Sequence, residues 1–240
     1  MLKRAMLCSA LSTATPLPSD AQAVDGFDES FRRLSPSFWH MAQYDFRHPS
    51  FDTDWRRARV NIDDGLRLSL APHTQGLNRF AGGSIRTLET LHYGRYTVQI
   101  QPAKGDGLVT GFFTYTGPYY GTRHDEIDIE FLGKDTTKLH VAWFVDGRLH
   151  ERDIPLGFDA ATCLHTYEFD WHPKGIDWFV NGRKVFGIEA DIPRIPGRLY
   201  ANIWAVDPSI AHWAGQADPA LQATSVIKSI SFRPYQTPDS

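Results

Sequence analysis

Residues 124–133 read His-Asp-Glu-Ile-Asp-Ile-Glu-Phe-Leu-Gly, and from Glu126 to Phe131 acidic and apolar side chains alternate without a break. A period of two is the period of a β-strand. Glu126, Asp128 and Glu130 therefore project from one face and Ile127, Ile129 and Phe131 from the other, into a core. The acidic face has no such folding rationale. Three like charges in a row repel one another, and Asp is a poor strand former. A solvent-facing strand gains nothing from that pattern, so the acidic face is read as a carboxylate site.

The other segments supply partners for this strand. Val24–Phe31 reads as a first strand, and Ala58–Ile62 and Leu66–Leu70 flank a Gly-bearing turn as a hairpin. Strands are expected from Gly82, over Tyr93–Gln101, and over Leu108–Thr116, whose continuous apolarity suits a central position. Thr137–Val145 and Leu164–Trp171 follow, then a hairpin about Asn181-Gly182, then Arg198–Val206 and Thr224–Phe232. His40–Arg57 reads as a long surface loop and candidate cleft wall, and Asp207–Leu221 as a loop carrying Trp213. Helical periodicity is absent over any useful length. Many short strands joined by turns predict an all-β chain, a β-sandwich of jelly-roll type.

The 240 residues suit one domain, over 24–240. The net charge of −3 argues against a polyanionic partner, so no nucleic acid is expected. Lys3 and Arg4, the moderately apolar Ala5–Ala14 and the Ala21-Gln22-Ala23 site read as a signal peptide over 1–23, implying a secreted or periplasmic protein. No other apolar run is long enough to span a bilayer, so no membrane partner is expected, and the protein is expected to be a monomer. Cys8 falls in the leader. That leaves Cys163 as a lone thiol, expected to be a small buried residue.

Strand geometry bounds the chemistry. At about 3.3 Å per residue, Glu126 and Glu130 have Cα atoms about 13 Å apart, with Asp128 midway. Side chains leaning together bring the carboxyls to roughly 5–6 Å, near the separation of retaining glycosidases, although outward rotamers would suit inversion. Crowding raises at least one pKa, so one carboxyl serves as an acid while another is an ionised nucleophile. Charge alone does not say which glutamate does which. His124 and His140 lack the ligand spacing of a zinc site, so no metal or catalytic cofactor is expected.

The run Asp125–Thr137 resembles the active-site strand of glycoside hydrolase family 16, and within it the bacterial lichenases, the endo-1,3-1,4-β-glucanases. Phe112–Pro118, Leu156–Ala160, His165–Tyr167, Ile192-Pro193, Pro196-Gly197 and Asn202–Trp204 carry the resemblance further along the chain. The resemblance implies a jelly roll with a concave glycan-binding cleft and retaining endo-hydrolysis. It implies Glu126 as nucleophile, Glu130 as acid/base and Asp128 as the assisting carboxylate. It also implies substrate contacts at Arg86, Phe113, His124, His140, Phe144, Asn202, Trp204 and Trp213, whereas Trp171 and Trp178 are assigned to packing. The substrate implied is a mixed-linkage β-1,3-1,4-glucan or a related bacterial exopolysaccharide. Transglycosylation and a non-catalytic glycan-binding jelly roll are the alternatives.

Departures from the lichenase pattern bear on specificity. His124 stands where lichenases have Trp, His140 where they have Gln, Ala142 where they have Asn, and Ser84 where an acid helps bind sugar. His124 and His140 resemble the plant xyloglucan endotransglucosylase branch instead. Ser225 lies where an acid helps hold a structural calcium, so support for calcium is weak.

Overall fold

The computed structural model describes residues 25–236; the signal-peptide reading falls outside them. In chain order the strands are β1 (Phe27–Glu29), β2 (Trp39–Met41), β3 (Thr53–Trp55), β4 (Val60–Ile62), β5 (Leu66–Pro72), β6 (Phe80–Gly82), β7 (Ser84–Thr87), β8 (Gly94–Gln101) and β9 (Leu108–Thr116). They continue as β10 (Asp125–Leu132), β11 (Lys138–Val145), β12 (Arg148–Pro155), β13 (His165–His172), β14 (Gly175–Val180), β15 (Arg183–Ile188), β16 (Arg198–Ala205) and β17 (Ala223–Pro234). A single turn of helix, α1 (Ala211–Ala214), interrupts the segment before β17.

Two sheets form a jelly-roll sandwich. One has the order β15-β14-β13-β8-β17-β5-β6-β3, with β1 added to β17 and β4 to β5. The other has the order β12-β11-β10-β9-β16-β7-β2, so the acidic strand β10 lies inside it, between β9 and β11. The alternation of β10 decides its orientation. Ile127, Ile129 and Phe131 enter the core with Phe112 of β9, Leu139 and Val141 of β11 and Ile203 of β16. Tyr96, Tyr167, Phe169, Trp171 and Trp178 meet them from the facing sheet, with Phe131 edge-on to Tyr167 at 4.8 Å. With its apolar face fixed there, β10 has to turn its three carboxylates outward.

Most expected strands form, and the hairpin at Asn181-Gly182 closes with both residues at positive φ (50° and 77°), as a tight I′-type turn requires. Three expectations are corrected. β12 was not anticipated: Arg-Leu-His-Glu-Arg-Asp-Ile-Pro is a mostly exposed edge strand with little apolar patterning, held by pairing to β11. His40–Arg57 is not one irregular loop, because β2 and β3 lie within it and a 3₁₀ turn covers Arg57–Arg59. Cys163 is exposed, not buried; it ends a 3₁₀ turn capped by Asp159, with Sγ 3.2 Å from His165 Nε2.

One contact ties the far sheet to the acidic strand. Trp178 of β14 is fully buried and donates Nε1–H to the backbone carbonyl of Asp128 across the core at 3.2 Å. Trp178→Phe removes that donor and leaves a small void. It should cost about 2 kcal/mol of stability or more in urea unfolding. A variant as stable as the wild type would show that the contact contributes nothing.

Candidate active site

Strand register assembles the site in rows across the outer face of the seven-stranded sheet. The first row is Phe144, Glu126, Tyr115 and Arg198, from β11, β10, β9 and β16. The second is Glu151, Ala142, Asp128, Phe113, Tyr200, Arg86 and His40, running from β12 to β2. The third is Asp153, His140, Glu130, Gly111, Asn202 and Ser84. Register thus brings Arg86, Phe113, His140, Phe144 and Asn202 onto the face of the three carboxylates, one row to each acid.

The carboxylates do not hold their protons equally. Burial pushes Asp128 well above the usual carboxylate range, and the charges of Glu126 and Glu130 push it further. Asp128 Oδ2 is buried without a hydrogen-bond partner. A proton on Asp128 lets it donate to Glu126, whose bond to it favours that protonated form. Glu130 keeps part of its surface open but lies deep on the sheet. Burial pushes it up to about 7; the charge of His140 works against this, and Glu126 and Glu151 add to it. At neutral pH the cluster therefore retains at least one proton, shared by groups that titrate together.

Neighbouring side chains fix these groups. His140 is nearly buried and sits between two acids of the unanticipated strand, with Nδ1 2.8 Å from Asp153 Oδ1 and Nε2 3.4 Å from Glu151 Oε2. Gly111 leaves room beside Glu130, because a Cβ there would stand 2.8 Å from Asn202 Oδ1. That Asn202 oxygen is buried and unpaired. At the head of the strand, the buried Asp125 carboxylate accepts from the backbone N–H groups of Arg194, Ile195 and Asp146. Burial alone would raise its pKa; those donors outweigh it and hold the group below the usual range. Asp125 thus serves as a clamp, a role its place in the motif did not announce.

The aromatic candidates divide. Phe113 stacks on Tyr200 at 5.0 Å, Tyr200 shares a hydroxyl–hydroxyl bond with Tyr120, and Arg198 covers the Tyr120 ring at 4.2 Å. Trp204 has the right parity but only 5% of its surface is exposed, because Phe51 stacks on it at 3.9 Å and Trp213 at 5.9 Å. Trp204 is therefore packing beneath the cleft wall, not an open sugar platform. Trp213, half-buried on α1, also meets His140 edge-on at 5.6 Å. Tyr115 and Tyr200 were not singled out, although they share parity with Phe113 and Asn202 and could have been found that way.

Phe51 belongs to the predicted wall. That wall is pinned by Asp54, whose buried carboxylate accepts from the backbone N–H groups of Phe46, Leu77 and Asn78 and from Asn78 Nδ2. A cavity of about 560 Å³ opens beside His140, lined by Lys134, Lys138, His140, Glu151, Asp153 and Trp213 among others. Among the described residues no group of three or more His, Cys, Asp or Glu side chains is placed to hold a metal ion. Ser225 is buried in β17 and donates to the carbonyl of Leu68.

Comparison with known proteins gives a consistent result. A model of the glycosyl hydrolases family 16 matches residues 47–223. The chain is 39% identical over 203 residues to a beta-glucanase of Bacillus subtilis, covering 84% of each chain. It superposes on the solved Bacillus licheniformis beta-glucanase with a TM-score of 0.84 at 36% identity, over 89% of this chain and all of that one. A prokaryotic beta-1,3-1,4-glucanase (lichenase) from a mouse hindgut metagenome gives 0.86 at 36% identity, over 88% of this chain and all of that one.

The crowding of the carboxylates has a cost that stability measurements can read. Glu130 is protonated in the fold at pH 5 and is forced to ionise there as pH rises through about 7. A group whose folded pKa is raised loses its favourable contribution as pH rises from its unfolded value of about 4.3 to its folded one. Glu130→Gln mimics the protonated acid, so its stability relative to the wild type in urea unfolding should be higher at pH 8 than at pH 4. The same relative stability at both pH values would contradict the burial of charge at Glu130.

Proposed function

The chain belongs to glycosyl hydrolase family 16 and is a beta-glucanase-like glycoside hydrolase, and on that premise we propose that it cleaves internal β-1,4 bonds of a mixed-linkage β-1,3-1,4-glucan with retention of configuration. The observation that carries this reading is the pair of glutamates on one face of β10 with a buried aspartate between them, whose pKa burial and both glutamates push upward. Glu126 attacks the anomeric carbon as Glu130 gives its proton to the departing glycosidic oxygen. A covalent glycosyl ester on Glu126 results. Water then bonds to the anomeric carbon, Glu130 takes its proton, and the ester bond breaks to return the Glu126 carboxylate. Asp128 donates to Glu126 and keeps a third negative charge out of the cluster.

The metagenomic relative, a beta-1,3-1,4-glucanase, supports the substrate class. A bacterial exopolysaccharide with similar linkages is the other substrate within this reading. The leader-like residues 1–23 would export the enzyme to meet either polymer. Transglycosylation is the second reading. His124, which stands where lichenases have Trp and resembles the transglucosylase branch, motivates it.

Hydrolysis of mixed-linkage glucan should release reducing ends whose first-formed anomer, followed by proton NMR, is β. An initial α anomer would overturn the mechanism. Glu126→Ala should lower the rate by at least about 10³-fold, and azide should restore turnover as an α-glycosyl azide. A β-glycosyl azide would exchange the roles of the two glutamates. Activity should fall as pH rises through about 7, as Glu130 loses the proton it must donate. A rate unchanged from pH 5 to 9 would remove Glu130 as the acid. Mass spectrometry of products formed with added acceptor oligosaccharides separates hydrolysis from transfer.

A further inference from the structure

His124 lies two residues before Glu126, on the same face of the chain, and its Nε2 is hydrogen-bonded to Glu126 Oε2. The ring is well fixed. It stacks on Phe144 of β11 at 4.4 Å with 20° between planes, and Tyr115 of β9 meets it edge-on at 5.3 Å. The backbone carbonyl of His124 accepts from Gly147 N–H, at the turn that follows β11. Two aromatic walls and a backbone tie therefore hold the imidazole before any sugar arrives. Family membership does not account for this, since a carbohydrate contact at this position needs no bond to the carboxylate.

We infer that His124 is a positioning residue for the nucleophile, donating Nε2–H to Glu126 Oε2 so that the carboxylate is aimed at the anomeric carbon. This inference rests on Glu126 being the nucleophile. An attacking carboxylate is ionised and offers only lone pairs, so the nitrogen facing it carries the hydrogen. The bond engages Oε2 and leaves Oε1 to form the glycosyl ester. In that ester Oε2 is the carbonyl oxygen and still accepts from His124. As water displaces the ester, negative charge returns to the carboxylate and the same bond strengthens. His124 thus transfers no proton; it restrains a rotamer and supports the charge in both steps. Asp128 donates from the strand's second row and His124 from its head, so Glu126 is held from two sides.

Two variants separate the hydrogen bond from the stacking. His124→Phe keeps a ring against Phe144 and removes the donor; His124→Gln loses the ring but places an N–H near the position of Nε2. With mixed-linkage glucan, H124F should lower kcat by about 10–100-fold, the range expected for a bond to a charged group, with KM within about 2-fold. H124Q should recover most of that loss. The decisive comparison adds the same substitutions to Glu126→Ala and measures azide-rescued turnover. With the carboxylate gone, His124 has nothing to aim, so H124F should leave the rescued rate within about 2-fold. A loss that persists in the E126A background, equal losses in H124F and H124Q, or an H124F enzyme as fast as the wild type would each overturn the inference. Failure of azide to rescue E126A itself, in an otherwise active enzyme, would instead remove the nucleophile assignment on which it rests.

Discussion

The site depends on repulsion among carboxylates that cannot move apart. Glu126, Asp128 and Glu130 occupy successive outward positions of one strand, and the inward positions are filled by Ile127, Ile129 and Phe131, all buried in the sandwich core. A shift of register by one residue would bury the acids and expose the core side chains, so the strand has one acceptable placement. Relief by rotation is limited too, because β9 and β11 flank β10 along its length. The remaining way to lower the electrostatic cost is to keep protons. Burial adds to repulsion at Asp128 and Glu130 and moves both upward, which makes a general acid available at neutral pH. The same geometry that destabilises the folded chain thereby equips it for glycoside cleavage.

Supporting contacts come from every side of β10. Trp178 reaches across the core to the Asp128 carbonyl, and Asp125 gathers three backbone donors at the strand's head. On the outer face, Gly111 makes space between Glu130 and Asn202, and His140 stands between Glu130 and the acids of β12. Asp54 plays a comparable part for the cleft wall. Burial raises its pKa, but the donors of Phe46, Asn78 and Leu77 outweigh that and hold it below the usual range. It therefore supports the wall at neutral pH and releases that support only as acid protonates it. Phe51, carried by that wall, seals Trp204.

Much of this was legible in the chain. Alternation gave the strand, its inward face and the three acids; Asn181-Gly182 gave a hairpin; the run Leu108–Thr116 gave a central strand with its observed bounds. What escaped has a common physical cause: it depends on partners distant in sequence. β12 exists because β11 offers an edge, not because its own residues alternate, and so Glu151 and Asp153 were missed around His140. Trp204 has the parity of a cleft residue, but Phe51, far away in sequence, decides that it is covered. Cys163 looked like a small core residue and is exposed because its neighbours form a turn. His124 was visible as a departure from the lichenase motif, but its bond to Glu126 needed the ring orientation that Phe144 and Tyr115 impose.

Proton retention by the β10 carboxylates is the central claim, and it can be read directly. Carbon-13 NMR of side-chain carboxyls, with Glu130 assigned by comparison with the Glu130→Gln variant, follows the titration of this group in the intact protein. The electrostatics of the cluster predict a transition near pH 7 for Glu130. A Glu130 carboxyl that titrates near the ordinary glutamate value of about 4.3 would contradict the account, because nothing would then distinguish it from a solvated surface acid.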